Sequence, residues 1–142
     1  MKIKKRQAAG LIPFKKLMNG AQVFLQKRGG DAPRFPGYFG FFGGGMEEGE
    51  SPENALVREI KEEMDIDIES YNFFGTYDYG DDVNHIFTLE VDDNFENKVN
   101  ILEGEYGKFF GEKDLAGLKI VEIDKLVLLD FFKNQPINQK RE

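Results

Sequence analysis

The sequence has no cysteine, no tryptophan and a single histidine among its 142 residues. Without cysteine, a disulfide framework and a thiolate metal site are both excluded, and a reducing compartment is allowed. No stretch approaches the roughly 18 consecutive apolar residues of a membrane-spanning helix. The apolar run that follows the basic start is broken by Pro13 and Lys15, so a signal peptide is not expected. We therefore expect a cytoplasmic protein with no membrane partner.

The charge of the chain is predominantly negative, with 26 acidic residues against 19 basic ones and a net charge of −7. Broad binding to a nucleic-acid backbone requires a basic surface, so it is not expected. An acidic protein can still bind phosphates when a divalent cation mediates the contact. The 14 phenylalanines, with no tryptophan, predict a core rich in Phe.

The pattern of elements indicates one domain over residues 1–142, long enough for a hydrophobic core. Strands are predicted at residues 3–14 and 21–28, with a hairpin turn at Asn19-Gly20. A long loop rich in Gly and Pro follows, with a short strand near residues 38–42. Ser51 and Pro52 then start a helix that we expect to end near Met64.

The second half of the chain predicts further strands in IDIESYNFFGTYDYG, in NHIFTLEVDD and in the short YGKFF. A helix is predicted over residues 122–134, because apolar residues recur there at helical spacing: Ile123, Leu126, Val127 and Phe131. The polar tail from Gln135 is expected to be mobile. Strands on both sides of a central helix indicate a mixed α/β or α+β fold.

The central helix carries an unusual concentration of acids in the stretch REIKEEMDI. At 100° per residue, one face carries four apolar residues: Leu56, Val57, Ile60 and Met64. A neighbouring face carries three carboxylates, from Glu59, Glu62 and Glu63. Arg58 falls on the remaining, solvent-facing side. A solvated amphipathic helix would explain such a face. Three oxygen donors beside a Gly-rich loop also suit a hard cation such as Mg²⁺ or Mn²⁺.

The spacing around these acids favours the second interpretation. Gly44 precedes Glu50 by six positions, Arg58-Glu59 follows after seven intervening residues, and then come Ile60, Glu62-Glu63 and Ile66. This pattern resembles the Nudix box, Gly-x5-Glu-x7-Arg-Glu-U-x-Glu-Glu-x-Gly-U, in which U is a bulky apolar residue. The one departure is Asp65, which stands where the family has Gly. Left-handed backbone is common at that position, and Asp tolerates it better than most residues.

The resemblance implies a Nudix-like α/β/α sandwich with a mixed sheet, and it implies roles for individual residues. The implied metal ligands are the Gly43 carbonyl and the carboxylates of Glu59, Glu62 and Glu63, and one of these carboxylates could also activate water. Gly44, Glu50 and Arg58 are implied to be structural, with Glu50 and Arg58 forming an ion pair. Glu105 resembles a distal position that supplies a ligand or base, and Glu103 is the competing choice.

Several residues outside the box are candidates for substrate contact. Three cations flank the long loop and are either ordinary solvated charges or phosphate contacts: Lys27, Arg28 and Arg34. Three aromatic residues either pack the loop or stack on a base: Phe35, Tyr38 and Phe39. The set that we carry forward as substrate-binding is Arg28, Arg34 and Tyr38. His85 is interpreted first as an ordinary strand residue and second as a substrate contact.

The resemblance implies an enzyme that hydrolyses a nucleoside diphosphate linked to another moiety, with Mg²⁺ or Mn²⁺ as the cofactor. The alternative is an inactive Nudix-like domain that binds or senses a nucleotide, although such domains usually lose box carboxylates that this chain keeps. The specific substrate stays open among oxidised nucleoside triphosphates, nucleotide sugars, dinucleoside polyphosphates and ADP-ribose. The oligomeric state is also open, with a homodimer included.

Overall fold

A computed structural model describes residues 4–135. In chain order the elements are β1 (Arg6–Leu17), β2 (Gly20–Lys27), β3 (Phe39–Gly40), β4 (Phe42–Gly45), α1 (Pro52–Met64), β5 (Asn72–Tyr79), β6 (Asp82–Glu90), α2 (Phe95–Lys98), β7 (Tyr106–Gly111), a 3₁₀ helix (Glu112–Gly117) and α3 (Glu122–Lys133).

The seven strands form one mixed sheet around β1. Along one edge β1 pairs in parallel with β6, in a register that places Arg6 opposite Asp82. Along the other edge its first half pairs with β4 and its second half pairs with β2, both antiparallel. The strand β5 extends the sheet beyond β6, and β7 and β3 pair with β2. The long strand β1 therefore joins the two halves of the sheet.

The two faces of the sheet bury separate apolar clusters. On one face, Phe24 and Phe87 pack with the α1 residues Leu56, Ile60 and Met64. On the opposite face, strand residues pack against four residues of α3: Val127, Leu128, Phe131 and Phe132. Because helices cover both faces, neighbouring strand residues are apolar on both sides. This explains why Phe24 interrupts the period-two pattern of Val23 and Leu25. The predicted mixed-sheet α/β/α sandwich is confirmed.

Some predicted boundaries and faces were wrong. The strand β1 runs three residues beyond the predicted end, and Leu17 pairs with Gly20, so the turn lies at Met18-Asn19. In α3, Leu126 is 44% exposed while Leu128 and Phe132 are buried, because this helix meets the sheet along a different stripe. Neither α2 nor the 3₁₀ helix was predicted. Most of the tail predicted to be mobile lies outside the described residues.

None of the helices within residues 4–135 has the length and apolar character needed to cross a membrane.

Candidate active site

The two ends of α1, the helix that carries the acidic face, are determined by local capping interactions. The Ser51 hydroxyl accepts a hydrogen bond from the Asn54 amide at 3.1 Å, and Pro52 occupies the first helical position. At the other end Asp65 adopts left-handed backbone, φ 57° and ψ 37°, and its N–H donates to the Lys61 carbonyl. The substitution of Asp for Gly therefore leaves the exit turn in the left-handed form that Gly favours.

Arg58 ties the loop before the helix to the helix itself. Its Nε and Nη2 donate to the two oxygens of Glu50 at 2.7 and 2.9 Å, and Nη2 also donates to the Gly45 carbonyl at 3.1 Å. The hydrogen bond from Arg58, followed by that from the Glu47 amide, lowers the pKa of Glu50 to about 2. The ion pair implied by the sequence resemblance is therefore present, and it braces the loop at both ends.

Arg58 also reaches the acidic face, which corrects its assignment to the solvent side. Its Nη1 lies 2.9 Å from Glu59 Oε2 and 3.4 Å from Glu62 Oε2. The side chain is 26% exposed, because the guanidinium folds back along the helix toward its carboxylate partners. Helical angles place only the Cβ of a residue, and a long side chain can reach the adjacent face.

Two glycines of β4, the strand that pairs with the first half of β1, make room for two carboxylates of α1. The Gly43 amide donates to Glu63 Oε1 at 2.8 Å, and Glu63 is only 5% exposed. A Cβ on Gly44 would lie 2.6 Å from the carboxyl group of Glu59. A Cβ on Gly43, whose φ is +140°, would lie 2.1 Å from the Ala9 carbonyl oxygen. Side chains at positions 43 and 44 would therefore displace either the strand or the acids.

The carboxylates of this face are electrostatically crowded. Burial, then the nearby charges of Glu59 and Glu103, raise the pKa of Glu63 to about 9, against the opposing Gly43 hydrogen bond and Arg28 charge. Burial also raises the pKa of Glu59, and Glu62 and Glu103 act in the same direction, while Arg58 opposes them. Bound positive charge would therefore be more favourable here than at an ordinary solvated acidic face.

A cavity of about 120 Å³ lies beside this face, on the α3 side of the sheet. Its lining includes the backbone of Gly43 and Gly44, so it meets the acidic loop directly. The positive charge of Arg28 opposes the rise in pKa of both Glu63, on the helix, and Asp124, on the cavity wall. Arg28 therefore lies between the acidic face and the cavity. Asp124 accepts a hydrogen bond from the Phe41 amide at 3.1 Å, and burial raises its pKa to about 6.

Comparison with known proteins agrees with this geometry. A family model described as the NUDIX domain matches residues 4–137. The chain belongs to the Nudix hydrolase family. A 59-residue stretch is 43% identical to the nucleoside triphosphatase NudI of Enterobacter sp. (strain 638), covering 42% of this chain and 40% of that protein. This match thus spans less than half the length of NudI.

Solved structures resemble the Nudix chain over most of its length. A MutT structure from work on the Aliivibrio salmonicida and Vibrio cholerae proteins is 25% identical, with a TM-score of 0.73, covering 93% of this chain and all of that one. The NUDIX domain of Shewanella oneidensis NrtR, solved with ADP ribose, is 18% identical with a TM-score of 0.72, covering 92% of this chain and 88% of that one. The second likeness concerns the fold alone.

The two candidate distal carboxylates, Glu103 and Glu105, lie in the segment just before β7. This segment is fixed against the end of α1, because the Leu102 amide donates to the Glu63 carbonyl at 2.8 Å. The charge of Glu103 raises the pKa of both Glu59 and Glu63. Glu105, the residue preferred from sequence, lies two positions on, where its amide donates to the Lys27 carbonyl as β7 begins. Both residues therefore stay candidates for the distal position.

The donor set of the box suits a hard cation, although the side chains are not gathered around one point. Among residues 4–135 no three His, Cys, Asp or Glu side chains converge as a metal site. The reason is local, because Arg58 holds Glu59 and Glu62 while the Gly43 amide holds Glu63. The donor atoms are all oxygens. The carboxyl groups of Glu59 and Glu63 have raised pKa values, which a bound divalent cation would lower. The residues therefore fit such an ion in chemistry.

Two of the three residues predicted to contact substrate line the cavity, and the third does not. Arg28 and Arg34 line the cavity, whereas Tyr38 packs against Phe35 and under Lys119 and is not part of the lining. Phe35, for which packing of the loop and stacking on a base were both considered, does line the cavity. His85 lies between Gln7 and Thr76, with its Nε2 2.8 Å from Gln7 Oε1, which agrees with the ordinary strand interpretation.

Sequence reasoning missed four polar residues of the cavity wall: Arg6, Asp82, Asn84 and Asp124. Asp82 and Asn84 are two residues apart on β6 and share one face of the sheet, and Arg6 is opposite Asp82 on β1. The parallel pairing of these two strands leaves no local signal in the sequence. Within the described part of the chain, Asn84 Nδ2 is buried without a hydrogen-bond partner. It is therefore a donor that a bound ligand could use.

Proposed function

We propose that this protein hydrolyses the diphosphate of a nucleoside diphosphate linked to another moiety, using a divalent cation. The observation that carries the proposal is the contact of the buried Glu63 carboxylate with Gly43, and of the partly buried Glu59 carboxylate with Gly44, beside an arginine-lined cavity. A diphosphate and an acidic face repel each other unless cations lie between them. The cavity supplies space for the remainder of the substrate on the other side of the same glycines.

In this proposal Glu59, Glu62, Glu63 and the Gly43 carbonyl would hold Mg²⁺ or Mn²⁺, which supplies positive charge to offset the phosphate oxygens. Glu103 is the distal carboxylate that we assign to the same group, with Glu105 as the alternative. One of these acids accepts a proton from the water that attacks phosphorus, while the P–O bond to the leaving phosphate breaks.

Other residues orient the substrate and the loop. Arg28 lies between the box and the cavity, where it can bind the oxygens of a phosphate that spans both. Arg58 and Glu50 keep Gly43–Gly45 against the helix, so that the carboxylates of α1 stay beside the glycines of β4. Asn84 and Asp124 offer polar groups to the part of the substrate inside the cavity.

Nucleoside triphosphates are the substrate class that we place first. The support is the 43% identity to the nucleoside triphosphatase NudI over 59 residues, together with the likeness to MutT. ADP-ribose is second, because the NUDIX domain of NrtR was solved with it. The two classes share the diphosphate that the box would bind.

The test is a panel of nucleoside triphosphates, ADP-ribose, nucleotide sugars and dinucleoside polyphosphates, assayed with Mg²⁺ and with Mn²⁺ by release of phosphate and pyrophosphate. We expect turnover on at least one class and none in excess EDTA. Glu53→Gln is the matched control for box variants, because Glu53 is an exposed glutamate of the same helix outside the acidic face. Turnover that persists after confirmed metal removal would refute the mechanism. Binding without turnover across the panel would favour the inactive nucleotide-binding alternative.

A further inference from the structure

One end of the cavity carries two arginines that share a single carboxylate. Arg34 Nη2 donates to Asp82 Oδ2 at 2.8 Å, and Arg6 Nη1 lies 3.9 Å from Asp82 Oδ1. The Asp82 side chain is 16% exposed, whereas the two arginine side chains are 45% and 44% exposed. All three residues line the cavity. The carboxylate is therefore the inner member of the group, and the two guanidinium groups form its outer rim.

The backbone fixes where each of the three residues lies. Arg6 is opposite Asp82 in the parallel register of β1 and β6, and its amide donates to the Asp81 carbonyl at 2.9 Å. Arg34 belongs to the loop between β2 and β3, which is closed by a bond from the Arg28 amide to the Tyr38 carbonyl at 2.8 Å. Arg28 Nε also donates to the Arg34 carbonyl at 2.7 Å. Asp82 is thus the point at which this loop is joined to the central strands.

The local charge of this group is opposite to that of the chain. Two arginines and one aspartate give +1, within a protein whose net charge is −7. A guanidinium carries five N–H donors, and Arg34 directs one of its nitrogens, Nη2, at Asp82. The rim therefore has donors and positive charge to offer to an anion. Two guanidinium groups repel each other, and the Asp82 carboxylate, which pairs with both, offsets that repulsion.

We propose that Asp82 is a positioning residue for the substrate, holding Arg6 and Arg34 together as a rim that binds a phosphate group at the end of the cavity. This inference rests on the proposed function, in that the substrate is a phosphate-bearing nucleotide. The rim is separate from the box, because its residues come from β1, β6 and the β2–β3 loop and none belongs to the Gly44–Ile66 motif.

The effect of Asp82→Asn distinguishes this role from simple electrostatics. Removing a negative charge from the cavity wall should tighten the binding of an anion if only net charge matters. If Asp82 instead positions the arginines, its loss lets Arg34 and Arg6 separate, and binding weakens. We expect the positioning effect to prevail because both arginine side chains are long, exposed and free to reorient once released.

The first experiment measures steady-state kinetics on the nucleotide that the panel identifies. For Asp82→Asn we expect KM to rise about tenfold, equivalent to about 1.4 kcal/mol, with kcat changed less than twofold, because the rim binds the substrate away from the reacting phosphorus. Asp82→Glu, which keeps the charge, should recover part of the loss. The matched control is Asp78→Asn. This substitution removes the same charge from the chain, but Asp78 pairs with Lys5 outside the cavity.

The second experiment does not depend on hydrolysis. Thermal unfolding is followed in EDTA with inorganic tripolyphosphate as the probe, so that the metal and the reaction are both absent. Tripolyphosphate should raise the melting temperature of the wild type and of Asp78→Asn, and raise that of Asp82→Asn by less than half as much. Arg34→Gln, with Lys5→Gln as its control, gives the same comparison if Asp82→Asn does not fold.

The outcomes separate the two proposals. Loss of the tripolyphosphate effect in Asp82→Asn or Arg34→Gln, but not in the controls, supports the rim even if the nucleotide panel shows no turnover. A tripolyphosphate effect of wild-type size, or a larger one, in Asp82→Asn would overturn the positioning role. No effect of tripolyphosphate on the wild type would overturn the rim itself, whatever the panel shows.

Discussion

Glu63→Gln separates the catalytic role of the acidic face from its structural role. Glu63 is 5% exposed, and its Oε1 accepts a hydrogen bond from the Gly43 amide at 2.8 Å. Glutamine has almost the same shape and keeps an oxygen that can accept this bond. The variant therefore removes an ionisable group and leaves the local packing in place.

The effect on stability follows from the raised pKa of Glu63. Burial first, and then the charges of Glu59 and Glu103, move this pKa from 4.5 to about 9 in the folded chain. Between those values the unfolded chain has lost a proton that the folded chain keeps, so stability falls as the pH rises through this window. At about 1.4 kcal/mol per pH unit, the metal-free wild type loses up to roughly 3 kcal/mol between pH 4.5 and pH 7. Gln at this position has no such loss.

Urea unfolding in EDTA at pH 5 and pH 8 measures this difference. The variant should match the wild type at pH 5 and exceed it at pH 8, while Glu53→Gln should follow the wild type at both. Turnover with Mg²⁺ should fall by about 10²–10³, since a preorganised contact to developing charge is worth that much. The reasoning is refuted if the variant and the wild type lose stability equally with pH, or if the variant keeps wild-type turnover.

Three further predictions concern the same loop and helix. Arg58→Ala should lower the free energy of unfolding by about 2 kcal/mol, measured in urea, and Mg²⁺ should not restore it, because Glu50 and the Gly45 carbonyl lose their donor. Asp65→Gly should raise it by roughly 0.5–1 kcal/mol, because Gly relieves left-handed strain; a lower value would show that the pair with Lys61 matters more. Mg²⁺ or Mn²⁺ should raise the melting temperature of the wild type, and raise that of Glu63→Gln by much less; equal shifts would remove Glu63 from the ligand set.

Local sequence predicted the parts of this protein that local chemistry determines. The cap at Ser51, the proline at position 52 and the spacing of the box predicted a helix to about Met64, and the structure has it there. The apolar face of α1 was also correct, since Leu56, Ile60 and Met64 are buried. In each case the signal in the sequence lies within a few turns of the same helix, even where the packing partners are in the sheet.

The features that sequence missed depend on residues far apart in the chain. The docking of the 99–105 segment on the end of α1, through the Leu102 amide and the Glu63 carbonyl, is one such feature, because no local pattern encodes it. The Arg6–Asp82 approach follows from the pairing of β1 with β6. The buried stripe of α3 depends on the angle at which that helix crosses the sheet, so Leu126 was placed inward and is exposed.

The central position of β1 has a consequence for how the protein is made. The first strand of the chain pairs in parallel with a strand far ahead of it, as shown by the contact between Gln7 and His85, which are 78 residues apart. Ribosomes add roughly 5–20 residues per second, so β1 waits on the order of 4–16 s for this partner to be synthesised. Contacts this distant also slow folding itself. The helix α1 can form earlier, with its acids hydrated. The carboxylates of Glu59 and Glu63 are then expected to lose water only when the sheet closes, which makes the active site one of the last parts of the nascent protein to acquire its final electrostatics.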